Sequence, residues 1–331
     1  MRPAPPPPSS RPTVVVTRKL PGPVEDRLER QFAARLNRDD HPFTAPELQD
    51  ALRGADALLP TVTDRITTEV LSVEPLRARI LANFGVGYNH IDVHAAKARG
   101  IVVTNTPEVL TDDTADDAVM LMLMVARRAG EAERHVRSRQ WTGWRPTHML
   151  GTRVSGKTLG LVGMGRIARA VATRAHCGFG MRVVFHDPYP PPPALAAELG
   201  AEQQSSLDAV LREADFVSLH CPATPETRHL IDTGRLALMK PTAFLINTAR
   251  GDIVDEAALV AALKEQRIAG AALDVYEREP QVTPDLLTME NVVLLPHLGS
   301  ATQETRVAMG LRALENLQAF FSGAPPRDRV V

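Results

Sequence analysis

TLGLVGMGRIA, Thr158 to Ala168, sets a strand-like apolar run directly against the start of a helix. TLGLV reads as a strand, and Arg166 opens the apolar-striped run RIARAVATRAH. Glycines at 163 and 165 permit a tight turn and expose backbone N–H groups at a helix N-terminus, where peptide dipoles favour an anion. Ala168 at the third position still allows close packing of helix on strand. A glycine pattern of this kind also occurs in ordinary strand-to-helix turns. The next strand decides between the two readings. RVVFH runs into Asp187, 24 residues after Gly163 (187 − 163), near the spacing of about 20 expected of an acid that binds an adenosine ribose. The combination reads as a dinucleotide site formed by Gly163, Gly165, Arg166, Ile167 and Asp187. The acid favours NAD over NADP, because a 2′-phosphate would meet a carboxylate. His186 beside it reads as a surface residue.

Outward from this stretch the same alternation continues. DFVSLH, TAFLIN, AGAALDV and NVVLLP are further strands, each followed by a polar or helical segment. Upstream, TVVVT, ADALLPTV, RILANFG and IVVTN repeat the pattern from Thr13. Repeated β-α units form parallel sheets, so the fold class is α/β with two parallel sheets. Between the two series, Ala115, Ala118, Val119, Met122 and Ala126 recur at helical spacing, which predicts one long helix from Asp112 to about Arg139. A last helix, Ala301 to about Phe321, is expected to return to the first domain. The organisation is then a disordered Pro-rich tail over 1–12, one domain from 13–106 and 298–331, and a second domain, 107–297, inserted into it. A cleft between two such domains is the natural ligand site.

Composition narrows the partners. The 331 residues hold 38 Lys plus Arg against 39 Asp plus Glu, without the basic excess that nucleic acid or a membrane surface requires. A small molecule is the expected partner. Cys177 and Cys221 are the two cysteines, with neither metal-ligand spacing nor a disulfide framework, which suits a reducing cytoplasm. No run reaches the roughly 18 consecutive apolar residues of a membrane span. MRPAPPPPSSRP lacks the apolar core of a secretory signal. Asp112, Asp113, Asp116 and Asp117 cluster at a helix start, where they serve the dipole rather than a metal.

Three strand-end segments carry the reactive side chains: INTARGDIVD, LDVYEREP and LPHLGSA. His297 follows NVVLL, at the strand end where α/β folds build their sites. A single histidine is more often structural. Glu279 alters that balance, since a carboxylate beside an imidazole favours the protonated ring, which can then donate to a carbonyl oxygen. Taken without context, Glu279 is a surface acid before the turn-forming Pro280. Arg250 lies between Ala249 and Gly251, with no bulky neighbour to bury it. Its guanidinium can hold a carboxylate through two hydrogen bonds, or it can pair with Asp252 or Asp255. Asp274 can accept from a nicotinamide carboxamide or cap a turn. In the first domain, NFGVGYNHID offers the Val86 and Gly87 amides as an anion nest that could bind the same carboxylate. A plain tight loop is the alternative.

Taken together, NTARG, YEREP, PHLGSAT and GMGRIA resemble the D-isomer-specific 2-hydroxyacid dehydrogenase family over nearly the whole chain beyond the Pro-rich start. The resemblance implies a Rossmann NAD-binding domain inserted into a flavodoxin-like substrate domain. It implies Arg250, Glu279 and His297 as catalytic residues, Thr114, Thr248 and Asp274 on the cofactor side, and a homodimer. WTGWRPTHMLGTRVSGK looks most like the glyoxylate and hydroxypyruvate reductase branch, where an aromatic, here Trp144 or less directly Trp141, approaches the partner subunit's site. Asp187-Pro188 departs from the basic or neutral pair of NADPH-preferring reductases of that branch. Glu279 departs from the Gln of formate dehydrogenases with this fold. The chain ends soon after the closing helix, without the regulatory domain of many phosphoglycerate dehydrogenases. The implied activity is reduction of small 2-oxo acids with NADH. Alternatives are oxidation of another D-2-hydroxy acid (phosphoglycerate, lactate or a bulkier one) or of phosphite, or an NAD-sensing role like that of a corepressor family sharing the fold and the triad.

Overall fold

The computed structural model describes residues 11–331. The tail read over 1–12 therefore lies outside the described residues except for its last two positions. The chain divides into two compact units: the chain up to Leu110 with Thr302–Val331, and Thr111–Ala301.

The smaller unit holds five parallel strands, β1 (Thr13–Val16), β2 (Ala33–Arg35), β3 (Ala57–Leu59), β4 (Ile80–Ala82) and β5 (Val102–Thr104), in the order β2-β1-β3-β4-β5. That order is the flavodoxin one. β1, β3 and β4 are almost wholly buried, as strands of a sheet covered on both faces must be. The helix Gln303–Phe321 returns to this unit and starts at Thr302, whose side chain caps it by accepting from Thr305 N–H. It packs against the helix Gly22–Gln31. Arg312, on its buried side, donates to both carboxylate oxygens of Asp328 at 2.6 and 2.9 Å, and Asn316 Nδ2 donates to the same carboxylate at 3.0 Å. This ties the chain end down, and Val330 N–H then donates to Val103 O at 2.7 Å beside β5.

The larger unit holds seven parallel strands, β6 (Thr158–Val162), β7 (Arg182–His186), β8 (Ala201–Gln203), β9 (Phe216–Leu219), β10 (Phe244–Asn247), β11 (Gly270–Leu273) and β12 (Val292–Leu294). Their order, β12-β11-β10-β9-β6-β7-β8, is the doubly wound Rossmann order with one strand added, its chain reversal at β6 beside β9. One face is covered by the helices Thr111–Ala126 and Arg166–Thr173, the other by Leu207–Glu213 and Glu256–Lys264.

The long helix expected over Asp112–Arg139 is two helices, Thr111–Ala126 and Ala129–Arg137. Arg128 between them is left-handed, with φ 54°, and its guanidinium grips both Glu131 oxygens at 2.7 Å. The apolar stripe explains the break: buried side chains stop at Ala126, and the second helix buries none. Thr152 N–H takes the Ala126 carbonyl at 2.7 Å, removing an acceptor from the helix ladder.

The two kinds of ion pair in the smaller unit should differ sharply in worth. Arg312→Leu leaves Asp328 buried without its counter-charge, with only the Asn316 amide still donating to it, so it should cost about 3–5 kcal/mol. Arg38→Ala breaks the exposed Arg38–Glu29 contact and should cost under about 1 kcal/mol. Urea unfolding of both variants tests this, and equal losses would show that burial does not set the value of the Arg312 pair.

Candidate active site

β10, β11 and β12 are neighbours in the sheet, so the loops after them are neighbours too. Arg250 lies three residues past Asn247, the last residue of β10 (250 − 247). Asn247 folds that turn: its Oδ1 accepts from Ala249 N–H at 3.0 Å, and its Nδ2 donates to Arg250 O at 2.8 Å. Arg250 is more enclosed than its small neighbours imply, and its side chain donates to Ala249 O at 2.6 Å. Burial pushes its pKa down from the ordinary value, while the carboxylates of Glu279 and Asp252 oppose that. The reason for the enclosure is Gly251. A Cβ there would stand 1.9 Å from Tyr276 C and 2.3 Å from Glu277 N, so the Arg250 turn lies backbone against backbone on the loop that carries Glu279.

Glu279 uses both oxygens. Oε1 accepts from Tyr276 N–H at 3.1 Å, and Oε2 meets His297 Nδ1 at 2.9 Å. Burial pushes the Glu279 carboxyl up, but His297, the Tyr276 amide and Arg250 together outweigh it and hold its pKa below the ordinary value. Glu279 is therefore a carboxylate near neutral pH, and a carboxylate only accepts. Nδ1 of His297 must be the donor, which leaves Nε2 as the ring nitrogen available for proton transfer. Tyr276 braces the pair from behind, its hydroxyl donating to Leu295 O at 2.7 Å. Glu256, also buried, accepts from Glu277 N–H at 2.8 Å and from the Thr283 hydroxyl. His229 Nε2 meets Glu277 Oε1 at 3.0 Å.

Asp274 is buried, and it clamps the turn on which His297 sits. Its carbonyl accepts from His297 N–H at 2.9 Å, and its carboxylate oxygens accept from Leu298 N–H at 2.6 Å and Gly299 N–H at 2.9 Å. His297 itself is left-handed, φ 57°, a conformation that non-glycine residues adopt only when their surroundings enforce it.

Most of the remaining sequence-predicted residues of this unit lie on the glycine turn and at the neighbouring strand ends. Gly163 has φ 89°, and a Cβ there would press on the Cys221 and His220 backbone at 3.0–3.1 Å. Nothing lies within 4 Å of the Cβ position of Gly165, which caps the helix Arg166–Thr173. Asp187 follows β7 beside this loop, its Oδ2 accepting from Met164 N–H at 2.7 Å and its Oδ1 from Tyr189 N–H at 2.8 Å. The Thr248 hydroxyl is buried without a hydrogen-bond partner among the described residues. Thr114 is buried against Gly299. An open glycine, an acid at the neighbouring strand end and an unsatisfied hydroxyl fit a dinucleotide. Arg166 and Ile167 form the first turn of the helix behind the loop.

In the smaller unit, Asn83 shapes the Val86–Gly87 loop by donating from Nδ2 to Gly85 O and Gly87 O at 3.1 and 3.0 Å. Asn105 Nδ2 donates to Val86 O at 2.9 Å. In the larger unit, Trp144 stands on the segment after the helix Ala129–Arg137 and is 82% exposed, with Trp141 54% exposed. One reading needs correction. Asp112 and Asp116 pair with Arg174 at the surface, but Asp117 is buried. Three residues beyond Thr114, it shares the inward face of the helix, a signal available from helical spacing. The Gly251 contact, by contrast, left no signal that spacing alone could reveal.

The family model for "D-isomer specific 2-hydroxyacid dehydrogenase, NAD binding domain" matches residues 119–299. The chain is 46% identical to a glyoxylate reductase of Thermococcus litoralis over 324 residues, 97% of each chain. It is 48% identical to a glyoxylate reductase of Korarchaeum cryptofilum, covering 97% of this chain and 96% of that one. Among solved structures it is similar to the NADPH-dependent glyoxylate/hydroxypyruvate reductase of Sinorhizobium meliloti in complex with NADP and malonate, with a TM-score of 0.86, 37% identity and 97% of each chain covered. The fold and the strand-end site define an oxidoreductase with a Rossmann NAD-binding domain. The chain belongs to the D-isomer specific 2-hydroxyacid dehydrogenase family.

Gly251→Ala should push the Arg250 turn and the Tyr276–Glu277 peptide apart. Misplacement of about 1 Å can cost roughly 10²-fold in rate, and turnover should fall on that scale. Wild-type turnover in the variant would show that this contact does not hold the two loops in register.

Proposed function

We propose that the protein reduces small 2-oxo acids, glyoxylate and hydroxypyruvate foremost, to 2-hydroxy acids with NADH. The observation that carries this is the His297–Glu279 pair beside Arg250 on adjoining strand-end loops. Arg250 holds the substrate carboxylate. When bound, the dinucleotide supplies the hydride. His297 Nε2 donates the proton to the substrate's carbonyl oxygen, and Glu279 keeps the ring oriented by accepting from Nδ1. The names of the Thermococcus and Korarchaeum relatives support glyoxylate as substrate.

Gly163, Gly165, Arg166 and Ile167 hold the pyrophosphate in this reading. Thr114, Thr248 and Asp274 lie on the nicotinamide side. The preference for NAD over NADP rests on Asp187, whose carboxylate at the end of β7 repels a 2′-phosphate. A homodimer built on the segment from Trp141 to Arg153, with Trp144 reaching the partner, is supported by the exposure of both tryptophans. Two free cysteines suit a cytoplasmic location, and among the described residues no helix is long and apolar enough to cross a membrane.

The test is NADH oxidation across glyoxylate, hydroxypyruvate, pyruvate, phenylpyruvate and 2-oxoisocaproate. Turnover of none of them would overturn the proposal. His297→Ala should lower kcat by about 10²-fold or more with little change in NADH affinity. Near-wild-type kcat would remove His297 from the mechanism. For cofactor choice, kcat/KM with NADH should exceed that with NADPH by at least about tenfold, and Asp187→Arg should narrow or invert the ratio. Equal use of both by the wild type would refute Asp187 as the selector.

A further inference from the structure

His297 is held in its left-handed conformation by Asp274, and Asp274 does not act alone. Behind it, on the helix Thr111–Ala126, stands Asp117, a second carboxyl group, 6% exposed where Asp274 is 1% exposed. Asp117 Oδ2 has no donor among the described residues. The helix that carries it packs against β11, and a Cβ on Gly299 would meet both Thr114 of that helix, at 3.3 Å, and Asp274 Oδ2, at 3.4 Å, so the Asp274 carboxylate acts on Asp117. Two carboxylates are both pure acceptors, so they cannot hydrogen-bond unless one of them carries a proton. The partners assign that proton. Burial raises the Asp274 carboxyl as well, but both its oxygens already accept backbone N–H groups, from Leu298 and Gly299, which favours the ionised form there over Asp117. Asp117 Oδ2 has no such donor among the described residues.

We propose that Asp117 is a protonated positioning residue that donates to Asp274 and so steadies the turn presenting His297. The groups acting on Asp117 are Asp274, after β11, and His297, after β12, with Glu279 acting in turn on Asp274. Arg174, just past the helix Arg166–Thr173 packed alongside, pairs with Asp112 and Asp116 instead. Burial first, then the Asp274 charge, pushes Asp117 up to about 7. Its native pKa exceeds the unfolded one, so between the two the native state binds more protons and stability falls as pH rises. Above about 7 two buried negative charges lie beneath the His297 turn.

A titration followed by carboxyl-carbon NMR on selectively labelled aspartate tests the shared proton without substrate. One aspartate should titrate near 7 and vanish from the spectrum of Asp117→Asn. An Asp117 that titrates in the ordinary aspartate range would overturn the proposal. The kinetic arm rests on the function proposed above. Asp117→Asn keeps a donor toward Asp274, so kcat/KM should lose the wild-type dependence on an ionisation near 7 while keeping most of its value below that pH. Asp117→Leu, which has no donor, should lower kcat at least about tenfold with a smaller change in KM. Leu and Asn variants that both reproduce the wild-type profile would refute the positioning role. Absence of turnover with every 2-oxo acid, alongside a titration near 7, would sink the proposed substrate and leave the shared proton standing.

Discussion

Val162, His186, Leu219, Asn247, Leu273 and Leu294 lie in one row across six parallel strands. Parallel pairing aligns strand ends at one edge, because every strand runs the same way and each crossover returns the chain to the same start. The residue one step beyond the row is Gly163 after β6, Asp187 after β7, Thr248 after β10 and Asp274 after β11. Arg250 and His297 lie three steps beyond it. Sheet register thus collects, at one edge, residues up to 134 positions apart (297 − 163). A slip of one residue in β11 would turn Asp274 to the opposite face and unclamp His297.

From that edge outward, short-range contacts replace the ladder. Gly251 sets the Arg250 turn on the Tyr276–Glu277 peptide, and Tyr276 ties the Glu279 loop to Leu295. The charges are arranged as a chain of partners: Arg250 acts on Glu279, Glu279 on His297, His297 on Asp274 and Asp117. Apart from Asp117, each of these groups has an opposite charge or a donor beside it, as burial requires. Asp117 is the member whose nearest partner has its own sign, which is why a proton has to enter the description.

Long β-branched runs made most of this legible. TVVV, RVVFH and FLIN are unambiguous strands, and the motif residues follow them directly. β2 and β8, AAR and AEQ, were invisible because they are three-residue edge strands without β-branched side chains, placed by pairing with β1 and β7. The break at Arg128 was missed for a related reason. Helical spacing registers where apolar residues recur, and it does not register where the surface they cover comes to an end. Asp117 was misread because four acids in six residues look like a solvated helix start, whereas a helix turns one of them inward regardless of its company.

Asp187 shapes the glycine loop, and under the proposed function the same carboxylate selects the cofactor. Its two oxygens already accept from Met164 and Tyr189 N–H groups, so the acid fixes the middle of the glycine loop and the turn after β7 before any ligand arrives. Each carboxylate oxygen retains a second lone pair, enough for a ribose hydroxyl under the proposed function. A basic side chain at this position would supply charge for a 2′-phosphate, yet it would leave the Met164 amide without its acceptor. Removing an acceptor from a partly buried N–H costs on the order of 1–3 kcal/mol. Under the proposed function, reversing the charge alone should therefore shift the ratio at a cost in turnover, and a second change that supplies an acceptor to Met164 should accompany any efficient switch.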